Sequence, residues 1–288
     1  MANNVASLVA EEYSSMLQSV LRDAFIGKMI ATTRFEGKFN GADTVHFPRL
    51  TPIVSEDLAT SYTNVNVQDV VTTDETFVLD TRKAFGVSIS DEDYIEMKID
   101  PQNRIIQDWV YAFAKDYDVA IFNTAAAGAG ILVDDGDLET ASNGGAGNPI
   151  ITSKTNMYDL VTAINEKLDT ANVPDMDRFL VISPKEKRQF LKAPELLRDT
   201  TMGDNVVTGG KVGTIDNTTI YYSNNLPAGS LIAGQGKPVD FAANIKPMVQ
   251  ITPSSYRDNF ANLIKAQTKF GCKVFTENAE RLVNVSIA

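Results

Sequence analysis

The apolar positions of the chain keep a helical spacing over one long central stretch. From Asp100 to Ala127, DPQNRIIQDWVYAFAKDYDVAIFNTAAA, the residues Ile105, Ile106, Trp109, Val110, Phe113, Tyr117, Ala120 and Ile121 recur at three- and four-residue steps. Arg104, Asp108, Lys115, Asp116 and Asp118 fall largely elsewhere. The spacing predicts a single helix with one broad buried stripe carrying the only tryptophan. Asp100 is suited to accept from the free amides of the first turn, and Pro101 has the fixed φ that fits the first helical position. At about 1.5 Å rise per residue the segment spans ~40 Å, enough to act as a backbone for other elements. The Ala-Ala-Ala-Gly-Ala-Gly run at 125–130 is expected to close it through glycine's left-handed conformation.

On either side the spacing differs. Residues 5–21 read as a short amphipathic helix with Val9, Tyr13, Met16, Leu17, Val20 and Leu21 on one side, docked on its own molecule or reaching a neighbour. Residues 40–94 turn to short alternating strands, Thr44–Phe47, Thr63–Thr72, Thr76–Leu79 and Phe85–Ser90. Between Leu50 and Thr81 there is no Lys or Arg, yet Glu56, Asp57, Asp69, Asp74, Glu75 and Asp80 are present. An acidic, core-poor β arm is either a flexible insertion or packs on another subunit. After the helix, GAGILVDDGDLETASNGGAGNP reads as an exposed, mobile loop and a domain boundary. An α/β module follows: a helix with Met157, Leu160, Val161, Ile164 and Leu168 on one face, a buried strand Arg178–Ile182, and a helix Pro184–Lys192 capped by Ser183. Gly213–Tyr222 reads as a hairpin about Asp216-Asn217, followed by a short strand at Leu231–Ala233 and another short element at Val239–Ala243. Phe260–Thr276 and Arg281–Ile287 are extended runs with no helix between them.

Composition narrows the function classes. With 288 residues, 43% hydrophobic and 22% charged, a real core and room for two domains are expected. Net charge is −11, which gives no general attraction to nucleic acid phosphates. The lone Cys272 excludes an intramolecular disulfide framework and a cysteine zinc site. The start, MANNVASLVAEEYSS, has neither a basic n-region nor a long apolar core, so no secretory signal and no membrane contact are expected.

Enzymatic readings lack their residues. Both Ser-His-Asp and Cys-His arrangements would depend on His46, the only histidine, which lies in an alternating strand. Gly128-Ala-Gly130 lacks a third glycine at Val133, and Gly210-Lys211 is followed by Val212 rather than Ser or Thr. Asp134, Asp135, Asp137 and Glu139 have the chemistry for calcium but not the twelve-residue loop pattern, so a solvated acidic turn is expected there. No catalytic, cofactor or metal residue is assigned.

The order of elements resembles the major capsid protein of tailed bacteriophages, the Hong Kong 97-type fold, an α+β class. RFLVISPKEKRQFLKAP at 178–194 looks like the strand, Ser-Pro and helix of that family's axial domain, and GTIDNTTIYYSNNLPAG at 213–229 looks like the stretch before its glycine-bounded strand. FANLIKAQTKFGCKVFTENAERLVNVSIA resembles the strands returning to the peripheral domain. The resemblance implies an N-terminal arm at 1–39, an extended β loop at 40–94, a peripheral domain with the spine helix at 95–149, an α/β axial domain at 150–245, and a return to the peripheral domain at 246–288. It further implies hexamers and pentamers tiling an icosahedral virion capsid around packaged double-stranded DNA, assembled in the host bacterial cytoplasm with a portal. Only a short stretch precedes the β arm, so a separate scaffolding protein is implied. An encapsulin-like shell around protein cargo is the alternative on the same fold; a small α/β hydrolase or ligand-binding protein is the alternative from another class.

Some relatives join subunits by lysine-to-asparagine bonds through the extended loop. The lysine-free stretch 50–81 predicts that this chain does not. In Leu263–Val274, Ile264, Ala266, Phe270, Cys272 and Val274 share one parity and Lys265, Lys269 and Lys273 the other, giving an apolar face and a lysine ridge. Candidate subunit contacts are therefore Glu56, Asp57, Asp69, Asp74 and Glu75 on the arm with Lys265, Lys269 and Lys273 on the ridge. A solvated strand face and a DNA-facing one are the competing readings of that ridge.

Overall fold

The structure, a computed structural model, describes residues 26–35, 39, 44–50, 55, 57, 67, 69–90, 101–193, 211–244, 252–253 and 261–288. The helix expected at 5–21, the Asp100 cap, the 63–66 part of the Thr63–Thr72 strand, and the side chains of Ile105 and Ile106 lie outside the described residues. In chain order the strands are β1 (Ala31–Thr32), β2 (Thr44–Leu50), β3 (Thr72–Val78), β4 (Thr81–Ser90), β5 (Ile131–Val133), β6 (Arg178–Ile182), β7 (Lys211–Ile215), β8 (Thr218–Tyr222), β9 (Ser230–Gln235), β10 (Val239–Asn244), β11 (Thr252–Pro253), β12 (Ala261–Val274) and β13 (Leu282–Ser286). The helices are α1 (Pro101–Gly128), α2 (Met157–Thr170), α3 (Pro184–Phe190) and a single turn, α4 (Thr276–Ala279), which interrupts the last extended run where no helix was expected. Residues 67 and 69–71 are irregular rather than strand, so the first arm strand ends at Leu50 and its partner starts at Thr72.

The helix α1 is the predicted spine, and it is wedged between two sheets. One sheet has the order β1-β10-β12-β11, with β4 also paired to β12. The other runs β5-β13-β9-β6-β8-β7. Trp109, Val110, Phe113, Tyr117, Ile121, Phe122 and Ala125 of α1 share one core with Phe241, Ile264, Ala266 and Phe270 of the first sheet and Phe179, Val181, Ile232 and Leu282 of the second. Trp109 is 7% exposed and stacks on Phe85 of β4 with ring centroids 6.4 Å apart, while Tyr117 meets Phe270 edge-on at 4.6 Å. Tyr117 is buried with its hydroxyl bonded to Thr268 Oγ1, which satisfies both polar ends in an apolar layer.

Alternation along the second sheet explains why its central strands read as continuous apolar runs. Phe179 and Val181 of β6 face the spine, whereas Leu180 and Ile182 face a second core with Met157, Leu160, Val161, Ile164 and Leu168 of α2 and Phe190 of α3. A sheet covered on both faces has no polar parity to show. Strand β10, from the 150–245 segment, pairs with β12, whereas β13, from the 246–288 segment, pairs with β9 and β5. The Asp216-Asn217 hairpin forms as expected, both residues at positive φ (44° and 59°), and Ser183 caps α3 by accepting from Lys185 N.

Three expectations are corrected. Gly128 and Gly130 are not left-handed; a Cβ on Gly128 would stand 2.7 Å from Val274 Cβ, so close approach of β12 explains that glycine. Asp118, read as part of the polar side of α1, is 3% exposed and accepts from Gly27 N (2.9 Å), Asn225 Nδ2 (3.2 Å) and Ile26 N (3.4 Å). Burial pushes its carboxyl up despite those three donors. The loop after α1 is exposed over 139–142 and 146–148 as expected, but its acidic turn is built around a buried carboxylate rather than a solvated one. Asp135 is fully buried and accepts from Ser142 Oγ, Asn143 N, Ser142 N and Gly145 N at 2.5–2.9 Å. Burial alone would raise its carboxyl; those bonds outweigh it and hold it at about 2. Asp134 receives Gly136 N and Gly147 N, and Asp137 pairs with Lys167 at 2.7 Å, so these acids turn to backbone and lysine instead of converging on a cation.

Since the spine core links both sheets, deleting its largest ring tests the architecture. Trp109→Ala is expected to cost about 3–5 kcal/mol. A thermal melt is the check; an unchanged melting temperature with assembly intact would contradict this packing.

Candidate functional site

The arm leaves the body over the face of the first sheet opposite the spine. Strands β2 and β3 form a two-stranded antiparallel ribbon with Thr44 opposite Val78 and Leu50 opposite Thr72. Phe241 of β10 faces the spine core, so its neighbour Ala242 faces outward, into a third cluster with Phe35, Phe39, Phe77, Leu79 and Phe275. Val45 and Phe47 pack on its edge. Phe35 meets Phe47, Phe77 and Phe275 with centroids 4.7, 6.0 and 5.9 Å apart. The arm thus has an aromatic root of its own, which the expectation of a core-poor arm missed. Its phenylalanines are scattered from 35 to 275, and no local period joins them.

Close backbone contact fixes where the arm crosses the sheet. A Cβ on Gly271 of β12 would lie 2.2 Å from Val78 O and 3.1 Å from Leu79 Cα, so only glycine lets β3 leave over this point. Beside it Lys273 Nζ donates to Thr76 O at 2.5 Å and stands 3.4 Å from Glu75 Oε1. Glu75 in turn accepts from Thr276 N and Thr276 Oγ1, each at 3.2 Å. Arg34 makes a bidentate pair with the fully buried Asp240, Nε to Oδ1 at 2.8 Å and Nη2 to Oδ2 at 3.0 Å. Burial still holds the Asp240 carboxyl above the usual carboxylate range, against the pull of that guanidinium.

The candidate contact residues divide accordingly. Glu75 and Lys273 meet within one chain. Lys265 is exposed and Lys269 half-buried further along β12, Lys269 opposite Arg82 of β4. The parity holds: Ile264, Ala266, Thr268 and Phe270 are buried between them. Asp57, Asp69 and Asp74 are exposed, and Glu56 lies outside the described residues. His46 Nδ1 stands 2.5 Å from Asp74 Oδ2 on the exposed ribbon. Cys272 sits on a different element, β12, its thiol pushed up to about 12 by burial and then by the Asp80 charge. No helix among the described residues is long and apolar enough to cross a membrane.

The architecture is thus a long spine helix between two sheets, with a ribbon carried away from the body on its own aromatic root. Comparison with known proteins gives the family. The sequence profile of the phage capsid protein family matches residues 72–277, and the chain belongs to that family. It is a structural capsid protein and not an enzyme. A solved structure from Mycobacterium phage Che8 superposes with a TM-score of 0.72 at 18% identity, covering 91% of this chain and 90% of that one. The capsid structure of cyanophage P-SCSP1u gives 0.68 at 16%, covering 93% and 89%. A virus-like particle from Pyrococcus furiosus gives 0.59 at 14%, covering 96% and 98%. No curated protein matches by sequence. The fold is thus that of tailed-phage major capsid proteins, and self-assembly into a capsid comes with the family.

Gly271→Ala is expected to cost about 1–3 kcal/mol, because the obstruction is backbone. Gly86→Ala, whose Cβ would meet only Lys265 Cγ at 3.9 Å, serves as the control. Hydrogen exchange should quicken in β3 for the first variant alone; equal exchange in both would contradict the crossing.

Proposed function

We propose that this capsid protein forms hexamers and pentamers that tile the icosahedral head of a tailed bacteriophage and enclose double-stranded DNA without sequence-specific binding. The observation that carries the reading is the arm: a ribbon rooted firmly at one end, with Leu50, Val67, Val70 and Val71 exposed towards the other. An exposed apolar stretch on a fixed base is suited to a neighbouring subunit. On this reading 1–39 is an N-terminal arm, 40–94 the extended loop, 95–149 and 246–288 the peripheral domain, and 150–245 the axial domain at the capsomer centre. A separate scaffolding protein and a portal complete the assembly in the host bacterial cytoplasm. The likeness to the Pyrococcus furiosus virus-like particle supports an encapsulin-like compartment as the second reading.

Electron microscopy of the purified protein should reveal closed shells or capsomers, and monodisperse monomers would sink both readings. Ultraviolet absorbance of particles from infected cells then separates nucleic acid content from protein cargo. Denaturing electrophoresis should give one band near 31.4 kDa, since no lysine amine lies between positions 50 and 81 to attack a neighbour. A covalent ladder without crosslinker would overturn that point.

The ridge is proposed to meet the acids of an adjacent arm. Glu75 and Lys273 also meet within one chain, and Asp74 stands beside His46; in a neighbour's contact Lys265, Lys269 and Lys273 would face Asp57, Asp69, Asp74 and Glu75 of the adjacent arm. Each exposed pair contributes only about 0.2–1 kcal/mol and is screened by salt, but it repeats at every interface. Lys269→Glu should weaken assembly and an added Asp74→Lys should partly restore it. Normal assembly with less packaged DNA would instead place the ridge against the lumen, and no change in either would make it a solvated face.

A further inference from the structure

The turn built around Asp135 also holds a reactive pair. Asn143 is followed directly by Gly144, whose φ of +90° suits glycine and strains any other residue. The glycine thus has a structural reason to be there, and a chemical liability comes with it. Ser142 N, Asn143 N and Gly145 N all donate to the Asp135 carboxylate, at 2.7, 2.6 and 2.9 Å. Gly144 N is the exception in this run: it has no acceptor among the described residues, and Gly144 itself is exposed. The half-buried Asn143 side chain is engaged through its nitrogen, Nδ2 donating to Pro149 O at 2.9 Å, while its carboxamide oxygen accepts no bond among the described residues. A free amide nitrogen therefore follows an uncommitted side-chain carbonyl, and joining the two closes a five-membered ring that glycine, lacking Cβ, hinders least.

We propose that Asn143-Gly144 is a site of spontaneous deamidation in the folded chain. Gly144 N gives up its proton to a solvent base and attacks Asn143 Cγ; the Cγ–Nδ2 bond breaks, and the nitrogen takes up a proton and leaves as ammonia. Water then opens the resulting succinimide at either carbonyl, leaving aspartate or isoaspartate at 143, with no oxidant or reductant involved. Both products replace the donor to Pro149 O with a carboxylate close to the buried Asp135, whose own charge repels it. Isoaspartate also inserts a methylene into the main chain between Asn143 N and Gly145 N, so these two amides no longer converge on Asp135 at their present spacing. The turn between the end of α1 and the start of α2 is loosened as a result. Asn148 lies in the same loop but precedes Pro149, which has no amide hydrogen to give up, so the same closure is barred there.

Ageing the purified full chain at neutral and mildly alkaline pH, with peptide mass spectrometry after tryptic digestion in mild acid, tests it. Residues 116–154 leave as one peptide, because Lys115 and Lys154 flank a stretch without Lys or Arg. Fragmentation should locate the mass gain of an amide-to-acid exchange at 143, growing with time and with pH, in two forms of equal mass and different retention. Asn123, inside α1 and followed by Thr124, and Asn148 should keep their amides. In water enriched in heavy oxygen the product should carry the isotope, as ring opening by solvent requires, and Asn143→Gln should abolish the gain in this peptide. Asn40-Gly41, the other Asn-Gly pair of the chain, serves as an internal clock. Conversion at Asn40 with Asn143 intact overturns the proposal by showing that the folded turn protects its pair, and so does an amide that survives at both. A gain already complete in the unaged sample overturns it too, because digestion would then be its source.

Discussion

The rest of the structure depends on one helix being buried from two directions. A surface helix needs a single apolar stripe, but α1 presents Trp109, Phe113, Tyr117 and Ile121 to a core supplied by both sheets. Each sheet is thereby registered against the same rod. Its polar members must then be satisfied inside. Asp118 does so by taking amides from Gly27 and Ile26 and the Asn225 side chain, so one carboxylate ties the chain before β1, the spine and the turn after β8 together. The exchange of β10 and β13 between the sheets adds a second tie, because the chain crosses the spine and comes back. For a shell subunit this matters mechanically: a load on one sheet passes to the other through packed side chains rather than through a linker.

The arm obeys a different constraint. It must be held to the body at its base while Leu50, Val67, Val70 and Val71 stay uncovered. Rigidity comes from Gly271, which brings the backbone of Val78 onto β12, and from the phenylalanine cluster beneath the ribbon. Lys273 then holds the ribbon from the side, through Thr76 O and Glu75. Beyond Leu50 and Thr72 that support ends and the valines are open. Stability and exposure are thus divided along one ribbon, the root satisfying itself while Leu50, Val67, Val70 and Val71 stay open.

What the sequence revealed follows from the range of each interaction. The spine's bounds, the Ser183 cap and the Asp216-Asn217 turn depend on residues within a few positions of one another, so periodicity and turn chemistry locate them. The lysine parity of β12 is equally local and was legible as a face, though not the fact that Lys273 is engaged by Glu75, nearly two hundred residues away. The aromatic root gathers Phe35, Phe47, Phe77 and Phe275, which look unrelated along the chain. Asp135 shows the same limit from the polar side. An Asp among acids and glycines reads as solvated, and only the folded loop brings four donors from Ser142, Asn143 and Gly145 around it. The glycine at 128 was placed correctly as a helix end but for the wrong cause, since the neighbour that requires it, Val274, is far along the chain.

Net charge sets the terms on which such a subunit can meet its copies. At −11 per chain, identical surfaces repel wherever they approach without compensation, and the screening length of about 8 Å at physiological ionic strength confines any remedy to direct contact. General electrostatic attraction between whole chains is thus not the source of cohesion. Cohesion must come from apolar area together with the few cations placed where chains touch. Among the described cations, Arg178 and Lys167 serve their own loops, through Asp169 and Asp137, Arg49 of the ribbon stands beside Glu277, and Lys265 is exposed on β12. In the contact proposed above the acids of the arm are the complement of the lysine ridge, since the thirty residues 51–80 carry no basic group. In the proposed shell the stretch 51–80, with neither Lys nor Arg, would specify where a neighbour settles as much by what it avoids as by what it binds.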